Sequence, residues 1–452
     1  MQTDTFTYKS YALDESRRSV AFSYALNHDG KSYDFTETLT FPVALPENES
    51  IERALRGLHL ALGVSYFKIF VPPALIHPYE MDADEAAFWN QVWEHGLGEF
   101  LYVNKLSKDR LATFQPQSGQ ALPLASPTGV KHGALLGIGG GKDSVVAGET
   151  LKQVISELEG FVMATGEQLG QTQSVAQVMG IALHVVERRL DPQLLVVQES
   201  PGAYKGHVPI SLIFGLVGTV LAIASDKRYV VVGNEASAST PRIEWNESSV
   251  NHQWSKSFEF EQQLQRYVHR YIDPATTYFS AIRRLSSVAV AKVFAQYPDY
   301  FEVFTSDNYV FRIDPGRRPN SRWSLESPKS LSSFILLSPW LAETDLARIF
   351  GSNFLDEASL EPLFLRLIGL EGEPPLDCVG TVEELRLSLG LAYQQNKYRD
   401  AALTKIAEQR GVFQQALLAE ATEALLRPAD DSAIPAELAS SIDTILADQV
   451  KA

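Results

Sequence analysis

Residues 133–152, GALLGIGGGKDSVVAGETLK, constrain the fold more than any other stretch of the chain. The apolar run at 134–138 ends in three consecutive glycines, and an apolar-periodic segment follows them. This pattern predicts a strand, a tight turn and the start of a helix. Glycines let the backbone approach a ligand closely, and a helix N-terminus favours an anion. We therefore predict a phosphate-binding loop, the alternative being a plain connection between strand and helix.

Two well-known phosphate loops do not match this stretch. A Walker A loop would need glycine at position 136 and serine or threonine at 143, where the chain has Leu136 and Asp143. A dinucleotide-binding fingerprint counted from Gly137 would need glycine at position 142, which is Lys142. The stretch resembles instead the SGGxDS loop of enzymes that split ATP into AMP and pyrophosphate, with Gly139 in place of the usual serine. This resemblance implies a fold of the PP-loop ATP pyrophosphatase type.

The composition limits the classes of function. With 45% hydrophobic and 21% charged residues, the chain of 452 residues is typical of a soluble globular protein. A net charge of −16 disfavours nucleic acid as a partner, because that binding depends on neutralising phosphates. The single cysteine, Cys378, excludes an internal disulfide and a racemase with two opposed cysteine bases. One cysteine and no signal-peptide pattern lead us to expect a cytoplasmic protein.

One long uncharged stretch, residues 208–225, is borderline for a membrane span. Pro209 suits the first turn of a helix, and residues 229–233, which follow, indicate a buried strand. We therefore expect a buried core helix and no membrane insertion.

Three domains are predicted. Residues 1–125 should form an α+β domain that binds substrate, 130–335 the ATP-binding catalytic domain, and 336–452 a helical C-terminal region, in which a capping box opens at Thr381. In the catalytic domain, short apolar strands alternate with helices, which indicates a doubly wound parallel sheet with ligands at the carboxyl ends of its strands. The predicted strands are 5–11, 19–26, 33–41, 134–138, 181–187 and 229–233, and the helices are 51–63, 84–96, 143–157 and 208–225.

A second polar stretch, residues 233–261, directly follows the predicted strand at 229–233 and so belongs to the same edge of the sheet as the glycine loop. It mixes polar side chains with Trp245, Trp254 and Phe258, which a solvated loop seldom carries. We therefore prefer a binding site to a solvated loop. The side chains expected to bind substrate are Asn234, Ser237, Ser239, Arg242, Asn251, Gln253, Ser257 and Glu259.

Several stretches together resemble the MurL family, the ATP-dependent epimerases of UDP-MurNAc-L-Ala-L-Glu. The most specific is VNHQWSKSFEFE at 250–261. The other matching stretches are 63–68, 96–104, 137–152, 202–211 and 233–239.

The resemblance implies that the muramoyl dipeptide, ATP and water give the D-Glu epimer, AMP and pyrophosphate during peptidoglycan precursor synthesis. It implies Mg²⁺ at Asp143, and we expect no PLP; a homo-oligomer stays open. Lys142 would either contact phosphate or face solvent. The residues expected to bind ATP are Gly139, Gly140, Gly141, Lys142, Asp143 and Ser144.

Five residues are candidates for proton transfer: His252, Lys256, His207, Lys205 and Glu235. We prefer His252 and Lys256, because a spacing of four places them on one face of a helix. His207 precedes the helix at 208–225, and its alternative role is to cap that helix. Other AMP-forming enzymes, such as an amide ligase or a nucleobase-modifying enzyme, and a nucleotide sensor without turnover are the alternative functions.

One region departs from relatives that carry a cysteine cluster spaced like a zinc knuckle. Ser324, Ser327 and Ser330 have the CxxCxxC spacing without thiols. Because neutral hydroxyls are poor zinc ligands, we expect no structural zinc.

Overall fold

The computed structural model describes residues 3–117, 119–165, 169–246, 248–312, 315–413 and 415–452. Within these residues, nine strands form one mixed sheet and two form a separate hairpin. The hairpin consists of β9 (Ile243–Trp245) and β10 (Ser248–Val250). The sheet contains β1 (Thr5–Leu13), β2 (Ser19–His28), β3 (Lys31–Thr40), β4 (Ala74–Ile76), β5 (His132–Gly137), β6 (Leu158–Ala164), β7 (Leu183–Arg189), β8 (Lys227–Val232) and β11 (Thr277–Ser280).

The sheet joins a parallel half to an N-terminal antiparallel meander. Its strand order is β11-β8-β5-β6-β7-β3-β2-β1-β4, and the neighbours from β11 to β7 are parallel. Strands β3 and β7 pair antiparallel, with Leu39 opposite Arg188. Next to this junction, Arg188 Nε donates to the buried Glu37 Oε1 at 2.6 Å. The predicted N-terminal strands are confirmed, and they extend the same sheet.

Helices cover both faces of the parallel half. Leu135 on β5 packs into one hydrophobic core with α1 and α7, while its neighbours Ala134 and Leu136 pack into a second core with α4 and α9. The sixteen helices among the described residues are α1 (Glu49–Phe67), α2 (Ala83–Gly96), α3 (Gly98–Asn104), α4 (Lys142–Leu151), α5 (Gly170–Met179), α6 (Gln193–Val197), α7 (Ile210–Ala224), α8 (Phe258–Tyr267), α9 (Ser287–Phe294), α10 (Pro328–Leu337), α11 (Glu343–Phe350), α12 (Glu361–Leu367), α13 (Val382–Gln394), α14 (Ala402–Gln409), α15 (Gln415–Leu426) and α16 (Ala436–Lys451).

Helix α7 is the uncharged stretch, and it lies in the core as predicted. Its residues from Leu212 to Ile223 are buried, apart from Phe214. No helix in the described part of the chain combines the length and apolar character needed to cross a membrane. The capping box at Thr381 and Glu384 is likewise confirmed at the start of α13.

Two details of the parallel half differ from the prediction. Helix α4 ends at Leu151 rather than near residue 157, and the chain turns into the unpredicted strand β6. Strand β6 lies between two parallel neighbours, and such strands carry apolar residues on both faces instead of an alternating pattern. Gly160 further weakens its strand signal, although a Cβ there would approach Ile138 Cγ1 to 2.9 Å.

A buried carboxylate organises the serine-substituted knuckle. Asp307 Oδ2 accepts hydrogen bonds from the Ser324 amide at 2.9 Å and the Ser330 hydroxyl at 3.0 Å. Asp307 Oδ1 accepts from the Tyr309 amide at 2.7 Å. Hydrogen bonds to one carboxylate therefore join the segment at 307–309 to the segment at 324–330.

We expect Asp307→Ala to lower the free energy of unfolding by about 2 kcal/mol or more, because it leaves the buried Ser330 hydroxyl and two part-buried amides without this acceptor. Urea unfolding followed by circular dichroism measures this change. Asp400→Ala is the control, since that side chain is fully exposed and its loss should change stability by less than about 0.5 kcal/mol. Equal stability of the two variants, or destabilisation of the unmutated protein by a zinc chelator, would contradict this interpretation.

Candidate active site

The glycine loop connects β5 to α4 as predicted. Gly140 has a φ of +82°, which favours glycine. Gly141 caps α4 without a side-chain hydrogen bond, so the amides of the first helical turn have no side-chain acceptor there. A Cβ on Gly139 would meet nothing within 4 Å, so space is open above the loop. The Ser144 hydroxyl donates to the Gly141 carbonyl at 2.9 Å.

Two other segments approach the loop closely. A Cβ on Gly233, just after β8, would lie 2.7 Å from the Asp143 carbonyl oxygen. A Cβ on Gly141 would lie 2.8 Å from Ser306 Oγ. Ser306 is 8% exposed, and its hydroxyl has no hydrogen-bond partner among the described residues. The absence of side chains on these glycines thus lets three segments converge at the start of α4.

Lys142 lies inside the protein between two carboxylates. Its Nζ is 2.5 Å from Asp143 Oδ1 and 3.5 Å from Glu235 Oε2. Burial alone would lower the pKa of Lys142, but the charges of Asp143 and Glu235 outweigh burial and raise it. Burial raises the pKa of Glu235 to about 7. Of the two roles left open for Lys142, facing solvent is excluded by its burial.

The segment that carries His252 and Lys256 is not the predicted α-helix. It makes a turn and a short 3₁₀ helix, Trp254–Lys256, before α8 begins. The two side chains nevertheless converge, because both lie near Cys378. Lys256 Nζ is 3.5 Å from Cys378 Sγ. A ring nitrogen of His252, an oxygen of Asp377 and the Cys378 sulfur all lie within 4.8 Å of one another.

On its other side, His252 contacts a carboxylate from α3. His252 Nδ1 contacts Glu99 Oε2, and His207 Nδ1 lies 3.4 Å from the same oxygen. Burial alone would lower the pKa of His252, but Cys378 and Glu99 raise it to about 10. Burial lowers the pKa of His207 to about 4. At neutral pH, therefore, His252 is an imidazolium and His207 is neutral.

The environment of Cys378 favours the thiolate. Burial alone would raise the pKa of the thiol, but the charge of Lys256 and the neighbouring His252 and Lys329 lower it to about 6. Arg242 holds the following residues in place by donating to the carbonyls of Val379 and Gly380. Arg242, which the sequence predicted to bind substrate, thus contacts the backbone of the two residues that follow Cys378.

One polar cavity joins Lys256 and Cys378 to Lys142 and Asp143 at the start of α4. It lies between the start of α4, the segment after β8, α10 and the turn before α13. The residues that line it include Lys142, Asp143, Asn234, Glu235, Gln253, Lys256, Ser306, Lys329 and Cys378.

The other predicted residues lie outside this cavity. Lys205 is on the surface, where it pairs with Glu199 at 2.5 Å. Ser237 lies behind the cavity, where it donates to Glu384 at 2.5 Å. A neighbouring groove of about 650 Å³ is lined by Trp245, Trp254 and four of the predicted residues, which are Ser239, Asn251, Ser257 and Glu259.

Sequence reasoning missed two residues of the site, Cys378 and Glu99. Cys378 belongs to no motif of the sequence, and it lies 122 positions beyond Lys256. Glu99 lies in the stretch 96–104, which resembled the family without suggesting a role. No local pattern could have joined either residue to His252.

Comparison with known proteins places both parts of the site in one family. Residues 1–281 match the model of the MurL N-terminal domain, and residues 303–423 match that of the MurL C-terminal domain. His252 and Lys256 therefore lie in the first match and Cys378 in the second.

Curated relatives match over nearly their whole length. The chain is 32% identical to a UDP-N-acetyl-alpha-D-muramoyl-L-alanyl-L-glutamate epimerase of Micromonospora sp., over 97% of this chain and 98% of the relative. It is 34% identical to the protein of the same name from Xanthomonas oryzae pv. oryzae, over 89% of each chain.

We expect Glu99→Gln to lower the pKa of His252, because it removes a negative charge that favours the imidazolium. NMR titration of histidine-labelled protein measures this pKa directly. Glu199→Gln is the control, since Glu199 is exposed and pairs with Lys205. An unchanged His252 titration in the Glu99 variant would show that the carboxylate does not hold the proton on that ring.

Proposed function

The chain belongs to the MurL family, and on that premise we propose that it inverts the terminal L-glutamate of UDP-MurNAc-L-Ala-L-Glu to D-glutamate while ATP is split into AMP and pyrophosphate. It is an enzyme of the isomerase class. The observation that carries the ATP-dependent scheme is a cavity lined both by Lys142 and Asp143, which follow the three glycines, and by the Lys256–Cys378 pair.

ATP lowers the barrier of this reaction rather than shifting its equilibrium, because the two epimers have similar energies. A free carboxylate resists deprotonation at the neighbouring carbon, since the product would gather two negative charges. Attack of the carboxylate on the α-phosphorus of ATP releases pyrophosphate and gives a mixed anhydride with AMP. This removes one charge and leaves an acyl group that accepts electrons as an enolate. Water then cleaves the adenylate.

The glycine loop suits the phosphates of ATP. The first-turn amides of α4 and the open space above Gly139 are available to phosphate oxygens. The Ser306 hydroxyl, which has no partner among the described residues, would add a donor, as would Ser144 once its hydroxyl turns away from the Gly141 carbonyl. Asp143 would hold Mg²⁺, an ion that neutralises phosphate charge when bound.

The neighbouring groove suits part of the large substrate. Its volume of about 650 Å³ lies within the range of sites for small molecules. Trp245 and Trp254 offer apolar faces, and Asn251 and Ser257 offer polar groups beside them. We assign the UDP-sugar portion to this groove and the glutamyl end to the cavity.

Incubation with ATP, Mg²⁺ and the muramoyl dipeptide in D₂O tests the proposed function. The scheme predicts deuterium at the α-carbon of glutamate, together with equal amounts of AMP and pyrophosphate. Release of ADP would exclude carboxyl adenylation. Epimerisation at full rate without nucleotide would exclude any role for ATP.

We expect Asp143→Ala to lower the rate of pyrophosphate release by about 100-fold or more, because it removes the carboxylate proposed for Mg²⁺. An enzyme-coupled pyrophosphate assay measures this rate. Asp299→Ala, on the exposed surface, is the control and should retain the rate. Similar rates for the two variants would remove Asp143 from the ATP site.

A further inference from the structure

Inversion of a stereocentre needs one group that takes the α-proton and another that returns a proton on the opposite face. We propose that Cys378 is one of these two groups, a catalytic residue contributed by the C-terminal part of the chain. This assignment rests on the proposed function. It gives a role to a residue that no sequence motif connects with the site.

The position of Cys378 supports the assignment. Its sulfur lies on the same cavity as Asp143 and Glu235, so it faces the space next to the proposed ATP site. At the loop end of that cavity, the buried Ser306 hydroxyl has no partner among the described residues, which is independent support for a ligand there. We therefore assign the α-carbon of an acyl adenylate formed at the loop to the space that Cys378 lines.

The charges around the sulfur favour a thiolate. Lys256 and His252 approach it from the segment before α8, Arg242 from the residue before β9, and Lys329 from α10. The opposing carboxylates are Asp377, next in the chain, and Asp143 and Glu235, elsewhere on the cavity. The nearby cations outweigh burial and the carboxylates, and they lower the pKa of the thiol to about 6.

The other candidates are less suited to act as the base. His252 is protonated at neutral pH, since its pKa is raised to about 10, and so it serves as a charge partner of the thiolate. The negative charge of Cys378 raises the pKa of Lys256, so this amine is protonated too. His207 is not among the residues that line the cavity. The thiolate and Glu235 are therefore the groups at the cavity that can accept a proton near neutral pH.

The proton-transfer step balances without a further reactant. The thiolate takes the α-proton from one face of the glutamyl adenylate, and the electron pair of the Cα–H bond moves into the acyl group to form an enolate. The second group, drawn from Glu235 and Lys256, donates a proton to the opposite face. In the reverse direction the thiol is the donor, and both groups exchange protons with solvent between turnovers.

The cluster of His252, Asp377 and Cys378 also has the geometry of three metal ligands, but its charges disfavour a cation. The Lys256 ammonium already lies 3.5 Å from the sulfur, and Arg242 and Lys329 add further positive charge. A divalent ion would have to displace the lysine. Proton transfer therefore explains this arrangement better than metal binding.

Two variants test the assignment: Cys378→Ser, which keeps the size of the side chain but not its acidity, and Cys378→Ala. Pyrophosphate release reports adenylation. Chiral analysis of the glutamate, after acid hydrolysis of the muramoyl dipeptide, reports inversion. We expect both variants to keep pyrophosphate release within about threefold and to lose inversion by 100-fold or more. Inversion retained within tenfold, or lost only in proportion to pyrophosphate release, would overturn the assignment.

Alkylation of the cysteine at a series of pH values provides a second measurement, and its result on the unmutated protein does not depend on the folding of a variant. Because Cys378 is the single cysteine, iodoacetamide can modify only this thiol. We expect the alkylation rate to reach half its maximum near pH 6, and Lys256→Met to shift that midpoint to higher pH. We expect the alkylated enzyme to release pyrophosphate without inversion. A midpoint near that of an ordinary thiol, or an alkylated enzyme that still inverts, would overturn the assignment.

The two proposals can fail separately. If the unmutated enzyme releases no pyrophosphate with ATP and substrate, the proposed function fails. If it releases pyrophosphate and inverts glutamate but Cys378→Ala does so equally well, the function stands and the role of Cys378 fails.

Discussion

The contact between the Lys256 ammonium and the Cys378 sulfur is the interaction on which the site depends. A thiolate away from solvent needs nearby cations, and here they come from several separate segments of the chain. Lys256 and His252 belong to the part that matches the N-terminal family model, and Cys378 to the part that matches the C-terminal one. The site therefore forms only when both parts are packed together.

Small residues allow the segments around the cavity to lie close to the start of α4. Gly141 and Gly233 let the segments carrying Ser306 and Glu235 approach the start of α4 closely. Arg242 fixes the backbone just after Cys378 through two carbonyl groups. In our proposal, these contacts hold the adenylating loop and the proton-transfer groups at a single cavity, so that the activated carboxyl group does not have to move between sites.

The sequence alone was enough to predict the local structure around the glycine loop and the family of the chain. Three consecutive glycines between an apolar run and a periodic segment predicted β5, the turn and α4, because each depends on neighbouring residues. The sharing of one sheet by β3 and β7, and the meeting of Glu99, His252 and Cys378, depend on tertiary packing between distant residues. A spacing of four suggested that His252 and Lys256 act together; the structure joins them through Cys378 rather than through a helix.

The most direct test of the central idea, that a carboxyl group is adenylated beside the proton-transfer groups, is to follow oxygen from substrate to nucleotide. Muramoyl dipeptide carrying ¹⁸O at both oxygens of the α-carboxyl group of glutamate is turned over with ATP, and the AMP is analysed by mass spectrometry. The account predicts one ¹⁸O atom in AMP for each inversion, because hydrolysis of the mixed anhydride at the acyl carbon leaves the bridging oxygen on phosphorus. AMP without the label, alongside inverted glutamate, would contradict it.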